Sequence, residues 1–191
     1  MPIIIETERL ILRAWHEDDL EPMYEINQDP KVMEYFPALA DKKETLSLIE
    51  RIFKHQDAYG YSLYAVELKS THEMIGFIGL LHRTKAELNV SFNPSTEIGW
   101  RLSSKHWGKG FATEGASAVL DYAFCVLGLP EIVSFTVTEN KKSRRVMEKI
   151  GLIYNPNDDF DHPKLPDNSP LKQHVLYRLT KEQYFQMKEG S

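Results

Sequence analysis

EIGWRLSSKHWGKGFATEG, residues Glu97 to Gly115, joins three local patterns without a break. Glu97–Leu102 alternates as a strand does. Ser103–Gly110 is a basic loop containing Gly108-Lys109-Gly110. From Phe111 the apolar residues fall at helical spacing: Phe111, Ala112, Ala116, Val119, Leu120, Ala123, Phe124 and Leu127, with Gly128 as the stop. Strand, Gly-x-Gly, helix is an arrangement that holds phosphate. The glycines let the backbone approach a ligand. The first helical amides have no intrahelical acceptor, and with the helix dipole they favour an anion.

Two stricter phosphate motifs do not fit. A P-loop requires a hydroxyl residue after Gly-Lys, and Gly110 stands there; Ser103 occupies the place of its first glycine. A dinucleotide fingerprint requires a third glycine where Thr113 stands, after a nucleotide-binding half rather than after hairpins. What remains is a loop and a helix start, with Lys105 and Lys109 adding charge. A bare Gly-x-Gly turn with solvated lysines has the same local sequence.

Working outward, Thr7–Trp15 reads as a strand. A short helix follows through Leu20, Met23, Tyr24 and Ile26. A longer one starts at a capping box, Asp41 with Glu44, and stops at Gly60. YSLYAVELKSTHEMIGFIGLLHR reads as an antiparallel hairpin around Ser70–Glu73. TKAELNVSFNPST is a polar connection. Beyond the quoted stretch, EIVSFTVT is a strand, and NKKSRRVMEKIG is a helix capped by Asn140 and ended by Gly151. Asn155–Pro170, with four prolines and four aspartates, reads as a long loop. LKQHVLYRLT is a last strand and Lys181–Lys188 a terminal helix. Hairpins fill the first half, while Glu97–Thr138 is a strand–helix–strand unit that needs a parallel crossover. The fold class is therefore α/β in the α+β sense: a mixed, mostly antiparallel sheet flanked by helices, in a single domain over residues 1–191.

Composition narrows the function. The chain has 191 residues, 42% hydrophobic and 27% charged, with a formal net charge of −5. The acidic balance argues against nucleic acid as partner. No apolar run reaches the roughly 18 residues of a membrane span, and the N-terminus does not read as a signal peptide. The one cysteine, Cys125, fits a reducing compartment, and the cytoplasm is the expected location. It is expected to be buried in the Phe111–Leu127 helix. Seven scattered histidines give no ligand-like spacing, so no metal site is expected.

Lys105-His106-Trp107-Gly108-Lys109-Gly110-Phe111-Ala112-Thr113-Glu114 closely resembles the acetyl-CoA loop of the GNAT superfamily of N-acetyltransferases, whose pattern is Gln/Arg-x-x-Gly-x-Gly/Ala. WGKGFATE looks most like the branch containing RimJ and RimL, which acetylate N-termini of ribosomal proteins. ETERLILR, EIGW, NKKSRRVMEKIGL and HVLYRLTKEQY resemble further segments of that branch in the same order. The resemblance spans about residues 6 to 185 and implies the GNAT acyl-CoA N-acyltransferase fold. Lys105 replaces the usual Gln or Arg, and Leu152 the usual Phe. Many members carry a general-acid tyrosine where this chain has Met147, which cannot donate a proton.

The resemblance implies acetyl transfer from acetyl-CoA to a primary amine by direct attack on the thioester. The acceptor is a protein or peptide N-terminus, or a small amine such as a polyamine, an antibiotic or an amino acid. It implies that Lys105, Trp107, Gly108, Lys109, Gly110, Phe111, Ala112 and Thr113 hold the pyrophosphate. The backbone of Gly99, Trp100, Arg101 and Leu102 would bind the pantetheine and the carbonyl oxygen, on a strand splayed from Val133–Thr138. Asn140 would contact the pantetheine arm besides capping its helix. Glu97 is the base, acting through water, and Ser143 serves the thiol. The loop residues Asp158, Asp159, Asp161 and His162, and the aromatics Trp15, Tyr35, Phe36 and Trp107, would line the acceptor side. Arg144 and Arg145 either reach the phosphates or form a solvated face. No nucleic acid and no membrane enters this reading, and monomer and homodimer are both compatible with it. The alternative of another class is a non-catalytic acyl-CoA-binding or regulatory module, which Met147 keeps open.

Overall fold

The capping box at Asp41 forms as the sequence requires: the side chain accepts from Glu44 N at 2.7 Å and Glu44 Oε2 accepts from Asp41 N at 2.8 Å. Helix α2 then runs Lys42–Tyr59 and ends at Gly60. The computed structural model describes residues 2–190. They form a mixed α/β fold in which a mostly antiparallel sheet is flanked by helices. The chain divides into two compact units: residues up to Leu81 with Gly99–Val119, and His82–Ile98 with the residues from Leu120 on.

In the first unit, β1 (Ile3–Glu6) and β2 (Leu10–Arg13) pair antiparallel, β2 pairs with β3 (Leu63–Leu68), and β3 with β4 (Met74–Arg83). The expected single strand Thr7–Trp15 is thus the second arm of a hairpin. IIIE carries no alternation, and its strand character comes from pairing Ile5 with Leu12. Strand β4 is buried from Met74 to Leu80, which fits its nearly unbroken apolar sequence. Helices α1 (Leu20–Asn27) and α2 cover one face through a cluster that includes Trp15, Met23, Ile26, Ile49, Ile52 and Phe77. Full burial of one such side chain is worth about 2 kcal/mol. That outweighs the exposed Lys42–Glu21 ion pair, worth about 0.5 kcal/mol. Helix α3 (Phe111–Asp121) begins in this unit, and its Gly115 lies against Ile78 and Leu10 with no room for a Cβ.

In the second unit, the start of β5 (Ser95–Leu102) pairs parallel with β6 (Glu131–Val137), as the crossover requires. Among the described residues this pairing is confined to Glu97 and Val133. Ile98 O is taken by the Ser134 hydroxyl at 2.9 Å, so β5 diverges from ladder geometry there. Strand β6 pairs antiparallel with β9 (Gln173–Thr180) along its full length. Two short strands missed in the sequence, β7 (Ile153–Tyr154) and β8 (Phe160–Asp161), add to β9. β8 lies inside the stretch read as loop. Helix α4 spans Lys141–Lys149 and α5 Lys181–Glu189.

After Asp121 the chain continues as a π-helix over Tyr122–Val126. Ala123 and Phe124 continue the buried stripe of α3, and Cys125, on the opposite side, is exposed rather than buried, its Sγ 3.9 Å from the Tyr184 hydroxyl. Among the described residues no helix is long and apolar enough to cross a membrane, and no group of acidic, histidine or cysteine side chains is placed to hold a metal.

Candidate active site

The loop after β5 is fixed before the helix begins. Ser103 N donates to Ile75 O at 2.8 Å, and the Trp107 indole N–H donates to Leu102 O at 2.9 Å. Trp107 therefore ties the loop to the strand it leaves. Gly108 and Gly110 have φ of +75° and +82°, the left-handed region that glycine enters without penalty. Helix α3 starts directly at Phe111, and its first intrahelical bond is Glu114 N to Gly110 O at 2.9 Å. The amides of Phe111, Ala112 and Thr113 precede that bond and have no helical acceptor. This is the cradle expected for a pyrophosphate, and the residues fit such a group.

Arg9 is the residue of this loop that sequence reading missed. Its Nε donates to Glu114 Oε2 at 2.7 Å, its Nη1 to Lys109 O at 3.0 Å, and its Cζ lies 4.5 Å from the Phe111 ring centroid. Nη2 lies beside Gly110. Arg9 thus links the β1–β2 turn, the glycine loop and the helix start. Glu114 also accepts from Thr7 Oγ1 at 2.7 Å and Arg9 N at 2.9 Å. Burial would raise its pKa, but these bonds outweigh burial and hold it below the usual carboxylate range. The ERL stretch carried the only available signal, a cation at the start of a strand. Lys105 is exposed and lines an open cleft of about 540 Å³ together with Asp29 and Glu73. Trp15, expected as a pocket aromatic, is core: it is buried, and its indole donates to Leu63 O at 2.9 Å.

Glu97 lies in the second unit with its side chain only 13% exposed. Burial pushes its carboxyl pKa up, while the Arg83 guanidinium, with Nε at 2.9 Å, pulls it back. A carboxyl whose hold on a proton is strengthened by burial and tempered by one cation is suited to proton transfer. Around this face, Phe135 packs against Phe92 and Phe160, and His174 against Phe135, Phe160 and His162. Burial and the neighbouring His174 lower the His162 pKa to about 4, so its ring is neutral at physiological pH. Of the loop acids, Asp158 accepts from Arg178 at 3.2 Å and Asp159 from the Tyr154 hydroxyl at 2.9 Å. The phenylalanines were not singled out because Phe160 meets Phe135 only once β8 pairs with β9, and Arg83 because its partner Glu97 lies 14 residues away.

The α4 N-terminus holds the third group. Asn140 Oδ1 accepts from Ser143 N at 3.3 Å, and its Nδ2 donates to Thr136 Oγ1 at 2.9 Å and to Ser143 Oγ at 3.2 Å. Ser143 Oγ is thereby used as an acceptor, and its own proton stays available to donate. Met147 is 2% exposed and belongs to the core. Arg144 is neither free for phosphate nor a solvated surface group: it donates to the Tyr177 hydroxyl and to Thr138 O. Arg145 is exposed. Gly99–Leu102 and Lys105–Thr113 belong to the first unit, and Glu97, Asn140 and Ser143 to the second.

Comparison with known proteins identifies the fold and the family. YkkB, an uncharacterised protein of Bacillus subtilis, is 34% identical over 149 residues, which cover 78% of this chain and 84% of YkkB. An acetyltransferase structure from Agrobacterium tumefaciens superposes with a TM-score of 0.74 at 29% identity, covering 94% of each chain. A spermidine N-acetyltransferase from Vibrio cholerae, solved with CoA and spermine, has the same fold, with a TM-score of 0.70 at 23% identity, covering 94% of this chain and 99% of its own. Residues 9–153 match the model of the acetyltransferase (GNAT) domain, and the chain belongs to that family.

Proposed function

We propose that this acetyltransferase moves the acetyl group of acetyl-CoA to the α-amino group of a peptide N-terminus or an amino acid, by direct attack of the amine on the thioester. The observation that carries the reading is the row of amides at Phe111–Thr113, which have no helical acceptor, behind two left-handed glycines. WGKGFATE and the Asn140–Ser143 pair support the finer placement beside RimJ and RimL, in the cytoplasm. Acetyl-CoA supplies the activated acyl group. The Phe111–Thr113 amides, with Lys109 and Arg9, hold its pyrophosphate. The backbone of Gly99–Leu102 aligns the pantetheine arm and offers N–H donors to the carbonyl oxygen. Asn140 reaches the same arm.

The amine must be neutral to attack. A lysine-like amine with a pKa near 10 is only about 0.1% neutral at pH 7, and the α-amino group of a peptide, near 8, about 10%. Glu97, through a water, accepts the proton the amine releases. A single carboxylate restrained by Arg83 meets the smaller demand of a peptide α-amine better than that of a lysine or polyamine. The thiolate leaves as the carbonyl re-forms, and the Ser143 hydroxyl donates a hydrogen bond to its sulfur. Serine's high pKa makes that bond, rather than full proton transfer, its contribution.

Thiol release from acetyl-CoA against peptides, amino acids, polyamines and lysine-like amines tests the reading. Turnover with α-amines is the expected result. Acetyl-CoA binding without thiol release on the whole panel would sink it in favour of a non-catalytic acyl-CoA-binding module.

A further inference from the structure

We propose that Arg101 selects an acceptor that bears a carboxylate. The proposal deepens the acetyl-transfer reading and rests on it for the identity of the reaction. Arg101 lies on β5 in the first unit and turns toward the side covered by α1 and α2. Its Nη1 donates to Oδ1 of the fully buried Asn27 at 2.8 Å. Its Cζ sits 4.3 Å from the Phe36 ring centroid and 5.3 Å from that of Phe77. Its Nε is shielded from solvent and has no hydrogen-bond partner.

No carboxylate among the described residues balances this charge, and desolvation alone lowers its pKa to about 10. The contrast within the chain is direct. Arg9 pairs with Glu114, Arg13 with Asp19 and Glu67, Arg83 with Glu97, and Arg178 with Glu131 and Asp158. Arg101, with no such partner, is left as a largely shielded cation without an anion. Burying a charge without a counter-charge is a standing cost. Two aromatic faces and one amide oxygen return part of it. A carboxylate on the terminal Nη2, which unlike Nε is not shut off from solvent, would return more of it as a charge-assisted hydrogen bond.

The surroundings leave room for such a group. Gly99, two residues earlier on the same face of the strand, would meet nothing within 4 Å even with a Cβ. Phe36, in the linker between α1 and α2, is 42% exposed and is the side of the sandwich that can frame an entering ligand. The same unpaired cation disfavours a polyamine.

Two kinds of acceptor carry the required anion: a free amino acid through its α-carboxylate, and a peptide whose first residue is Asp or Glu. The test compares each with its neutral isostere: amino acids with their amides, and hexapeptide amides beginning with Asp or Glu with those beginning with Asn or Gln. Each pair is measured as kcat/KM by thiol release and, with CoA present, as the Tm shift of the intact protein. At least a tenfold preference for the anionic member is expected in one of the two series, together with the larger Tm shift. Arg101→Met should level the pair, and Arg101→Lys should keep part of the preference; either variant that folds suffices. Equal values within every pair, or a preference that Arg101→Met and Arg101→Lys leave intact, overturn the proposal. Selective Tm shifts without any thiol release would uphold the carboxylate site while overturning the transfer reading. Turnover of α-amines with no anionic preference would do the reverse.

Discussion

At Glu97, two opposing effects meet on one carboxyl. Burial raises its pKa, and Arg83 at 2.9 Å lowers it. As the base, Glu97 must be ionised, so kcat/KM should rise with pH along an acidic limb set by this group. Removing the cation with Arg83→Met leaves burial unopposed, so the limb should move to higher pH. Glu97→Gln should remove the limb and lower kcat by about 10²- to 10⁴-fold. A pH–rate profile that keeps its acidic limb in Glu97→Gln would assign the base elsewhere. Ser143 makes a separate demand. Its hydroxyl serves only the leaving sulfur, so Ser143→Ala should cut kcat while leaving acetyl-CoA affinity nearly unchanged; equal turnover would remove it from the mechanism.

The N-termini of α3 and α4 present the same physics with different chemistry. At α3, Gly110 at φ +82° leaves the first amides open. Asp tolerates the left-handed region better than most residues, so Gly110→Asp should fold, yet its carboxylate would face the pyrophosphate. The variant is expected to lose the Tm shift caused by acetyl-CoA, and an unaltered shift would take the loop out of the site. At α4, Asn140 caps the helix and also donates to Ser143 Oγ. Asn140→Ala should cost about 1 kcal/mol of stability. Asn140→Asp should keep the cap but turn the donor into an acceptor. Ser143 would then give its proton to that carboxylate instead of the sulfur, so kcat should fall with Tm held. Retained turnover in Asn140→Asp would show that the Asn140–Ser143 bond is only structural. Both helix starts were legible in the sequence because caps and glycines are local signals. The Asp41 box, Gly60, Asn140 and the parallel β5–α3–β6 unit were legible on the same grounds. β1, β7 and β8 were not, because strands of two to four residues exist only through their partners. Cys125 was misplaced because its burial was taken from residue type, although its position falls on the side of the helix opposite the Ala116, Val119, Leu120, Ala123 and Phe124 stripe. Arg9 and Arg83 escaped notice because their carboxylate partners lie 105 and 14 residues away.

The whole chain should report both its ligand and its histidines through thermal stability. A ligand bound only by the native state stabilises it by mass action, about 2.7 kcal/mol at a hundredfold excess over Kd. At 2–4 °C per kcal/mol for about this size of chain, saturating acetyl-CoA should raise Tm by roughly 5–10 °C. The absence of any shift at millimolar concentration would weigh against the cofactor. The pH dependence of Tm without ligand has a different origin. Burial, then the charges of His174, Lys164, Arg83 and Lys172, lower the His162 pKa to about 4. The unfolded chain, with an ordinary histidine pKa near 6.5, therefore binds more protons than the fold between those two values. Stability then falls as pH drops through that window and is fully present above it. His174, lowered by burial, acts in the same direction. His162→Gln removes the titrating ring, so its Tm should decline less steeply than that of the wild type between pH 6.5 and 4. The two curves should run parallel above pH 7. Identical slopes through the acidic window would mean that His162 is as free to take a proton in the fold as in the unfolded chain, contrary to its packing against His174 at 5.0 Å.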